Sequence, residues 1–214
     1  MIKKFLSKFG SYKNRIKKAI IALKLCQGVI IIDNKNRENE GDLVFSCENI
    51  TIQQMALTIR YGSGIVCLCI TEKKRKKLKL PMMVKNNTST YNTGFTISIE
   101  SAKGISTGVS AKDRIKTIKT AIFDTAISSD FNKPGHIFPV CAHKKGLLSR
   151  QGHTEASITL TKLAGFKPMS VICELTNKNG SMAKIQDILK FSKIYKMPIL
   201  TIDDLIKYLK NKKL

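Results

Sequence analysis

Short apolar segments and amphipathic segments alternate along the whole chain, and this alternation most limits the folds open to it. Residues 28–33, 65–70 and 171–173 are rich in β-branched side chains and predict strands. Between such segments, apolar residues recur at helical spacing with lysines on the opposite face, as in Ile16, Ala19, Ile20 and Leu23. No linker or internal repeat separates the segments. The pattern predicts one compact α/β domain over residues 1–214, with helices covering a sheet.

The remaining elements follow from capping residues and spacing. Thr51 can cap a helix that runs through Ile59, and the basic run after Thr71 predicts a helix ending before Pro81. Residues 95–99 alternate like a half-buried strand. Other predicted elements are strands at 43–45 and near 137–138, helices at 111–122, 154–164, 184–194 and 203–210, and polar loops at 34–42 and 85–93.

Length and composition exclude several classes of protein. The 214 residues suffice for a sizeable buried core. No uncharged apolar run approaches the ~18 residues of a membrane-spanning helix. The basic stretch 1–18 lacks the apolar block of roughly 7–15 residues that a secretory signal needs. A cytoplasmic protein without a membrane partner is therefore predicted, and its six cysteines are expected to be buried, reduced thiols.

The net charge of +23 raises the possibility of a nucleic-acid partner, because a basic surface gathers phosphates by releasing counterions. The composition favours the opposite interpretation. Of the 38 basic residues 32 are lysines, whereas base recognition depends on the planar fork of arginine. The lysines are also spread along the whole chain. We therefore expect weak attraction to polyanions but no specific nucleic-acid partner.

An acidic loop, residues 37–42, follows the first predicted strand. Its carboxylates Glu38, Glu40 and Asp42 fall within five residues. Clustered oxygen ligands on a loop suit Mg²⁺, which takes one or two carboxylates and keeps several waters. An acidic surface turn would have the same composition. The residues of the loop leave both interpretations open.

Residues 150–155, Arg-Gln-Gly-His-Thr-Glu, precede a predicted helix. The start of a helix offers free N–H groups and a positive dipole end, which together bind phosphate. Gly152 permits close approach of the backbone, and Arg150 can bind two oxygens. His153 could also turn toward the acidic loop and complete a metal site. The alternative is an ordinary helix cap at Thr154 beside a surface arginine.

Two further residues could transfer protons. His136 lies in a turn bounded by prolines, where it is either an acid/base group or a buried polar group with a backbone partner. Glu174 ends an apolar strand, where a carboxylate is costly unless it is paired or used. It is either a general base or the partner of a lysine. His143 is predicted to be an exposed loop residue.

Together these residues describe a site for a phosphorylated, oxygen-rich small molecule. The helix start would bind phosphate, and Glu38 with His153 would hold Mg²⁺ against hydroxyl or carbonyl oxygens. A polarising metal and a positioned base are what deprotonation beside a carbonyl requires.

At these segments the chain closely resembles the 3,4-dihydroxy-2-butanone 4-phosphate synthase family. The similarity runs in unbroken order over about residues 6–209. It rests on Asp33 with loop 37–42 and on segments 62–67 (GSGIVC), 80–84 (LPMMV), 94–96, 106–114 (STGVSAKDR), 134–139, 150–155, 163–168 and 173–177. Relatives that carry a second domain are not matched beyond residue 214, so the monofunctional form is expected.

The resemblance implies a three-layer α-β-α sandwich around a mixed sheet, working as a homodimer with active sites at the subunit interface. The implied reaction converts D-ribulose 5-phosphate into formate and the four-carbon ketone phosphate, with Mg²⁺ or Mn²⁺ as cofactor. It also implies roles for individual residues: Glu38 and His153 as metal ligands, His136 and Glu174 in proton transfer, and Arg37, Glu38, Asp42, Glu174 and Arg150, Gln151, Gly152, His153 and Thr154 in substrate binding. Cys67, Tyr91 and Thr107 fall in segments beside the implied site.

Overall fold

The computed structural model describes residues 9–212 of the chain. Seven strands and seven helices of six or more residues are found in this range. In chain order they are α1 (Tyr12–Lys24), β1 (Val29–Ile32), β2 (Gly41–Ser46), α2 (Ile52–Tyr61), β3 (Cys67–Ile70), α3 (Glu72–Lys77), β4 (Ile99–Ser101), α4 (Ala111–Ile122), β5 (Phe131–Cys141), α5 (His153–Leu163), β6 (Ser170–Glu174), α6 (Ile185–Tyr195), β7 (Ile199–Thr201) and α7 (Ile202–Lys212).

The seven strands form one mixed sheet in the order β4-β5-β3-β6-β2-β1-β7. The pairs β3–β5 and β1–β7 are parallel, and the other four pairs are antiparallel. The central strand, β6, pairs with its neighbour β3, with Ile172 opposite Cys67. β3 runs parallel to β5 and antiparallel to β6. The start of β3 therefore lies beside the end of β6, and segments distant in sequence meet at this end of the sheet.

Alternate strand residues point to opposite faces of the sheet, and each face carries its own core. On β1, Ile30 and Ile32 pack beneath α2, α4 and α6, whereas Val29 and Ile31 pack beneath α1, α5 and α7. The strands β1, β2 and β3 are fully buried, as expected for strands covered on both sides. The three-layer α-β-α sandwich around a mixed sheet is therefore confirmed.

Side-chain caps fix the starts of several helices. The hydroxyl of Thr51 accepts a hydrogen bond from Gln54 N at 3.2 Å, and Oε1 of Gln54 accepts one from Thr51 N at 2.9 Å, which completes a capping box. Ser110 likewise accepts from Asp113 N at the start of α4. The predicted helices at 51–59 and 111–122 are confirmed.

The prediction of a strand over residues 95–99 is wrong. This segment makes isolated bridges to Met82 and Val140, and a regular strand begins only at Ile99. Its neighbours on the two sides are Pro139, which accepts from Thr96 N, and Pro81, which accepts from Ile97 N. Neither proline has an N–H to return a bond, so a continuous ladder cannot form.

The cysteine prediction is confirmed in part. All six cysteines are free thiols, and Cys67 and Cys69 face the same core. Cys26, however, is exposed, because it follows α1 in a turn with a positive φ of 57°. Cys141 is half-buried. Among the helices of residues 9–212, none is both long and apolar enough to cross a membrane.

Candidate active site

The register of the sheet brings two predicted carboxylates together. Asp42, at the start of β2, lies directly opposite Glu174, at the end of β6. Both residues share the side of the sheet that carries Val44 and Ile172, which is the face covered by α5. Glu174 accepts a hydrogen bond from the Ser63 hydroxyl at 2.6 Å. This partner replaces the lysine that was one of the two interpretations of Glu174.

Asp33 organises the acidic loop that joins β1 to β2. Its Oδ2 accepts from Glu38 N at 2.9 Å and from the Arg37 guanidinium at 3.2 Å, and its Oδ1 accepts from Glu40 N at 2.9 Å. The Asp33 side chain is completely buried. The turn is thus wrapped around one carboxylate, which directs the Glu38 side chain toward α5.

Three potential metal ligands converge on the start of α5. Ligand atoms of Asp33, Glu38 and His153 all lie within 4.8 Å of one another. His153, the first residue of α5, places Nδ1 3.4 Å from Glu38 Oε2 and 3.6 Å from Asp42 Oδ1. The structure therefore brings Glu38 and His153 together, as the sequence predicts, and adds Asp33 to them.

Two polar atoms at this point are buried without a hydrogen-bond partner in the described part of the chain. They are Asp42 Oδ1 and His153 Nε2. Buried polar atoms without partners are rare in folded proteins and point to a missing ion or water. A cation with attached waters would satisfy both atoms, so the donor set fits a divalent metal.

The electrostatics of this cluster point the same way. Burial raises the pKa of Asp42 to about 8, against the opposing effect of the nearby imidazole of His153. Burial alone would lower the pKa of His153, but Asp42, Glu38 and Asp33 outweigh it and raise that pKa to about 9. Burial works against the Glu38 carboxylate, but His153 and Arg37 outweigh it and lower its pKa. A metal ion would displace protons that the site otherwise retains.

The N-terminus of α5 is open to a ligand. Gly152 is the N-cap and supplies no side-chain cap, so the first N–H groups of the helix remain available. The alternative of a cap at Thr154 is wrong, since Thr154 lies inside the helix and is buried. A Cβ at Gly152 would lie 2.4 Å from Arg150 Nη1, so a side chain there would push the guanidinium aside. Gln151 is exposed.

Tyr91, in loop 85–93, connects the two arginines of the site. Its hydroxyl donates to the Arg37 carbonyl at 2.6 Å, and its ring lies 4.6 Å below the Arg37 guanidinium. Its carbonyl accepts from Arg150 Nη2 at 3.1 Å and from Nε at 3.3 Å. Arg150 also donates to Thr93 at 3.2 Å and to Glu155 at 2.7 Å. Loop 85–93 is thus fastened between the acidic loop and α5.

His136 lies at the same end of the sheet, on β5. Cys67 on β3 pairs with Phe138 on β5 and with Ile172 on β6, so β5 and β6 flank β3, and His136 and Glu174 each lie two residues beyond this pairing at the same end of the sheet. The strands β5 and β6 are two strand spacings apart, about 10 Å along the sheet. His136 Nδ1 lies 2.9 Å from Glu100 Oε2. Its partner is thus a carboxylate rather than a backbone group, and its side chain is 42% exposed rather than buried.

Sequence reasoning missed three contacts of the site: Asp33 at the hub of the loop, Ser63 on Glu174, and Glu100 on His136. The role of Asp33 could have been found from its position, because an Asp directly after a strand commonly accepts hydrogen bonds from backbone N–H groups a few residues later. Neither Ser63 nor Glu100 has a local pattern that marks it. His143 is exposed, as predicted.

Comparisons with known proteins agree on one family. A family model described as 3,4-dihydroxy-2-butanone 4-phosphate synthase matches residues 17–208. A protein of that name from Buchnera aphidicola subsp. Acyrthosiphon pisum (strain Tuc7) is 69% identical over 206 residues, which cover 96% of each chain.

Solved structures give the same result. The crystal structure of a 3,4-dihydroxy-2-butanone 4-phosphate synthase in complex with two magnesium ions superposes with a TM-score of 0.88 at 32% identity, covering 92% of this chain and 97% of that one. The synthase of Candida albicans superposes with a TM-score of 0.83 at 39% identity, covering 91% and 96%. The chain therefore belongs to the 3,4-dihydroxy-2-butanone 4-phosphate synthase family, lyases of riboflavin biosynthesis.

Proposed function

We propose that the protein converts D-ribulose 5-phosphate into 3,4-dihydroxy-2-butanone 4-phosphate and formate. The observation that carries this proposal is the convergence of Glu38, Asp42 and His153 beside the open N-terminus of α5. Oxygen and nitrogen ligands for a metal thus adjoin a site for an anion, which suits a polyol that ends in a phosphate. Membership of the family supports the same substrate.

Glu38 and His153 would hold Mg²⁺, with Asp33 close behind them. The partnerless atoms of Asp42 and His153 support this assignment, and one relative of known structure contains two magnesium ions. Mn²⁺ could replace Mg²⁺, since imidazole is a better ligand for transition metals than for Mg²⁺. When bound, the metal would polarise the carbonyl and hydroxyl oxygens of the sugar.

The two ends of the substrate would contact different parts of the site. Arg150 and the backbone from Gln151 to Thr154 would bind the phosphate, because the free N–H groups and the positive end of the α5 dipole lie there. Arg37 and Asp42 would hydrogen-bond the sugar hydroxyls. Glu38 and Glu174, at the same end of the sheet, would contact the substrate as well.

His136 and Glu174 would transfer the protons of the reaction. Its proposed course is enolisation, dehydration, skeletal rearrangement and hydrolytic loss of C4 as formate. The water that leaves in the dehydration balances the water consumed in the hydrolysis, so no co-reactant is needed. Glu174 suits the role of a general base. In the described part of the chain, the Ser63 hydroxyl is the only group that donates a hydrogen bond to its carboxylate.

We further propose a homodimer of one-domain chains, each domain spanning residues 1–214, with a cytoplasmic location and no specific nucleic-acid or membrane partner. The homodimer is what the resemblance to the family implies. The location and the absence of a nucleic-acid partner are predictions from the sequence alone.

A formate assay tests the proposed activity. Purified protein with D-ribulose 5-phosphate and Mg²⁺ is expected to release formate, EDTA to stop the release, and excess Mg²⁺ to restore it. Heat-treated protein is the control for spontaneous breakdown of the sugar. A folded protein that releases no more formate than this control would refute the proposal.

A further inference from the structure

Glu100 and His136 face each other across an irregular part of the sheet. Ile99 on β4 pairs with Ile137, but the next residue, Glu100, pairs with Asn132. The register therefore shifts by four residues at the point where His136 lies. Irregularities of this kind re-aim side chains and are common beside active sites. Here the result is the 2.9 Å contact between Glu100 Oε2 and His136 Nδ1.

This contact fixes which imidazole nitrogen is available for chemistry. An ionised carboxylate only accepts hydrogen bonds, so Nδ1 of His136 must carry the proton that Glu100 accepts. Nε2 is then the nitrogen that can take up or release a proton in a reaction. Within residues 9–212, no hydrogen bond to His136 Nε2 is found.

The surroundings are shaped to hold the pair. Gly108 adopts a positive φ of 81°, and a Cβ there would lie 2.2 Å from Glu100 Oε2 and 2.8 Å from His136 Nδ1. Arg114 donates to the His136 carbonyl at 2.6 Å and to the Val109 carbonyl at 2.8 Å. One arginine therefore ties the backbone of His136 to the turn that carries Gly108.

A surface ion pair would need none of these features. The Glu100 side chain is only 19% exposed. It meets its partner through a shifted register and against a glycine that leaves room for both side chains. Exposed ion pairs contribute little to the stability of a fold. The contact between Glu100 and His136 is therefore better explained as one that positions the imidazole.

We infer that Glu100 is a positioning residue that holds His136 with Nδ1 protonated and Nε2 free for proton transfer. This inference rests on the proposed function, and in particular on the assignment of proton transfer to His136. This role is like that of the acidic member of a catalytic triad, which holds its histidine in one tautomer and one orientation.

Steady-state kinetics form the first test. Glu100→Gln is expected to lower kcat by about 100-fold, at the low end of what general acid–base catalysis contributes. KM should change by less than about threefold, because substrate binding is not removed. Glu100→Asp, which keeps the carboxylate, should recover part of the loss. Glu72→Gln is the matched control, since Glu72 is a carboxylate with a similar 22% exposure at the other end of β3.

A double variant tests whether Glu100 acts through His136. Glu100→Gln combined with His136→Gln should be no slower than His136→Gln alone, because residues that act as one unit are not additive. Losses that multiply would overturn the inference. So would a Glu100→Gln enzyme with normal kcat beside an inactive His136→Gln enzyme. A wild-type protein that releases no formate would instead refute the proposed function itself.

Nitrogen-15 NMR of histidine provides a readout that does not depend on activity. The chain has only three histidines, so His136 can be assigned by comparison with His136→Gln. Metal-free wild-type protein is expected to show His136 with a protonated Nδ1, and Glu100→Gln to show a mixture of tautomers. A wild-type His136 with its proton on Nε2 alone would overturn the inference.

Discussion

Replacing Asp33 by Asn is expected to destabilise the protein, because Asp33 binds three donors with two oxygens. The amide nitrogen of Asn would face an N–H wherever it is placed. At the Oδ1 position it opposes Glu40 N, and at the Oδ2 position it opposes both Glu38 N and Arg37. The less costly orientation places the amide nitrogen opposite Glu40 N and breaks that one hydrogen bond. The bonds from Glu38 N and Arg37 are kept, but their acceptor becomes a neutral amide oxygen instead of a carboxylate.

The size of the effect follows from these contacts. The broken bond costs about 2 kcal/mol, and the weakening of the other two adds about 1 kcal/mol. The free energy of unfolding should therefore fall by about 3 kcal/mol. For a chain of this length, that lowers Tm by roughly 6–12 °C.

Thermal unfolding followed by circular dichroism measures the difference. It is carried out with EDTA and at one protein concentration, so that neither metal binding nor association contributes. Glu38→Gln is the control, because its carboxylate accepts from side chains and from no backbone N–H in the described chain. It should lose metal-dependent turnover with little change in Tm. An Asp33→Asn protein as stable as the wild type would refute the role of Asp33 as the hub of the loop.

Three other substitutions give separate tests. Gly152→Ala is expected to raise KM by about 10-fold or more with little change in Tm, because the new Cβ would displace Arg150. A 10-fold change corresponds to about 1.4 kcal/mol, the cost of one poorly held phosphate contact. An unchanged KM would contradict the assignment of the phosphate site. Glu174→Gln should keep substrate binding, measured by calorimetry, but stop formate release, and near-normal turnover would remove Glu174 from the proposed mechanism. The third concerns acid stability: Arg75 lowers the pKa of Glu72 to about 2, so this pair stabilises the fold above about pH 4.5 and loses its effect as pH falls toward 2. Glu72→Gln should therefore lower the free energy of unfolding at pH 7 by about 1 kcal/mol, a modest value because the pair lies near the surface. In urea unfolding curves, the difference from the wild type should vanish near pH 2. A difference that persists at pH 2 would contradict this account.

The sequence predicts best what is decided locally. The start of α2 follows from Thr51 and Gln54, which cap within one turn, and the periodicity of residues 111–122 predicts α4 to the residue. The approach of Glu38 to His153 was also predictable, because each residue lies beside an element with a clear pattern and the family resemblance pairs them.

Contacts between distant segments could not be predicted in this way. Ser63 reaches Glu174 over 111 residues and Glu100 reaches His136 over 36, and each contact depends on which strands become neighbours. The failed strand at 95–99 has the same cause, since the two prolines beside it are distant in sequence or separated by a loop. Alternation of side chains gives the faces of a strand but not its neighbours.

The contacts of Arg150 have a consequence for ligand affinity. A guanidinium has five N–H donors, and Tyr91, Thr93 and Glu155 together already engage four of them. A phosphate that takes two donors of Arg150 must therefore displace a bond to loop 85–93 or the bond to Glu155. Measured affinities for phosphorylated ligands then include the cost of breaking one of these bonds, and loosening loop 85–93 would lower that cost and tighten binding without adding any contact to the ligand.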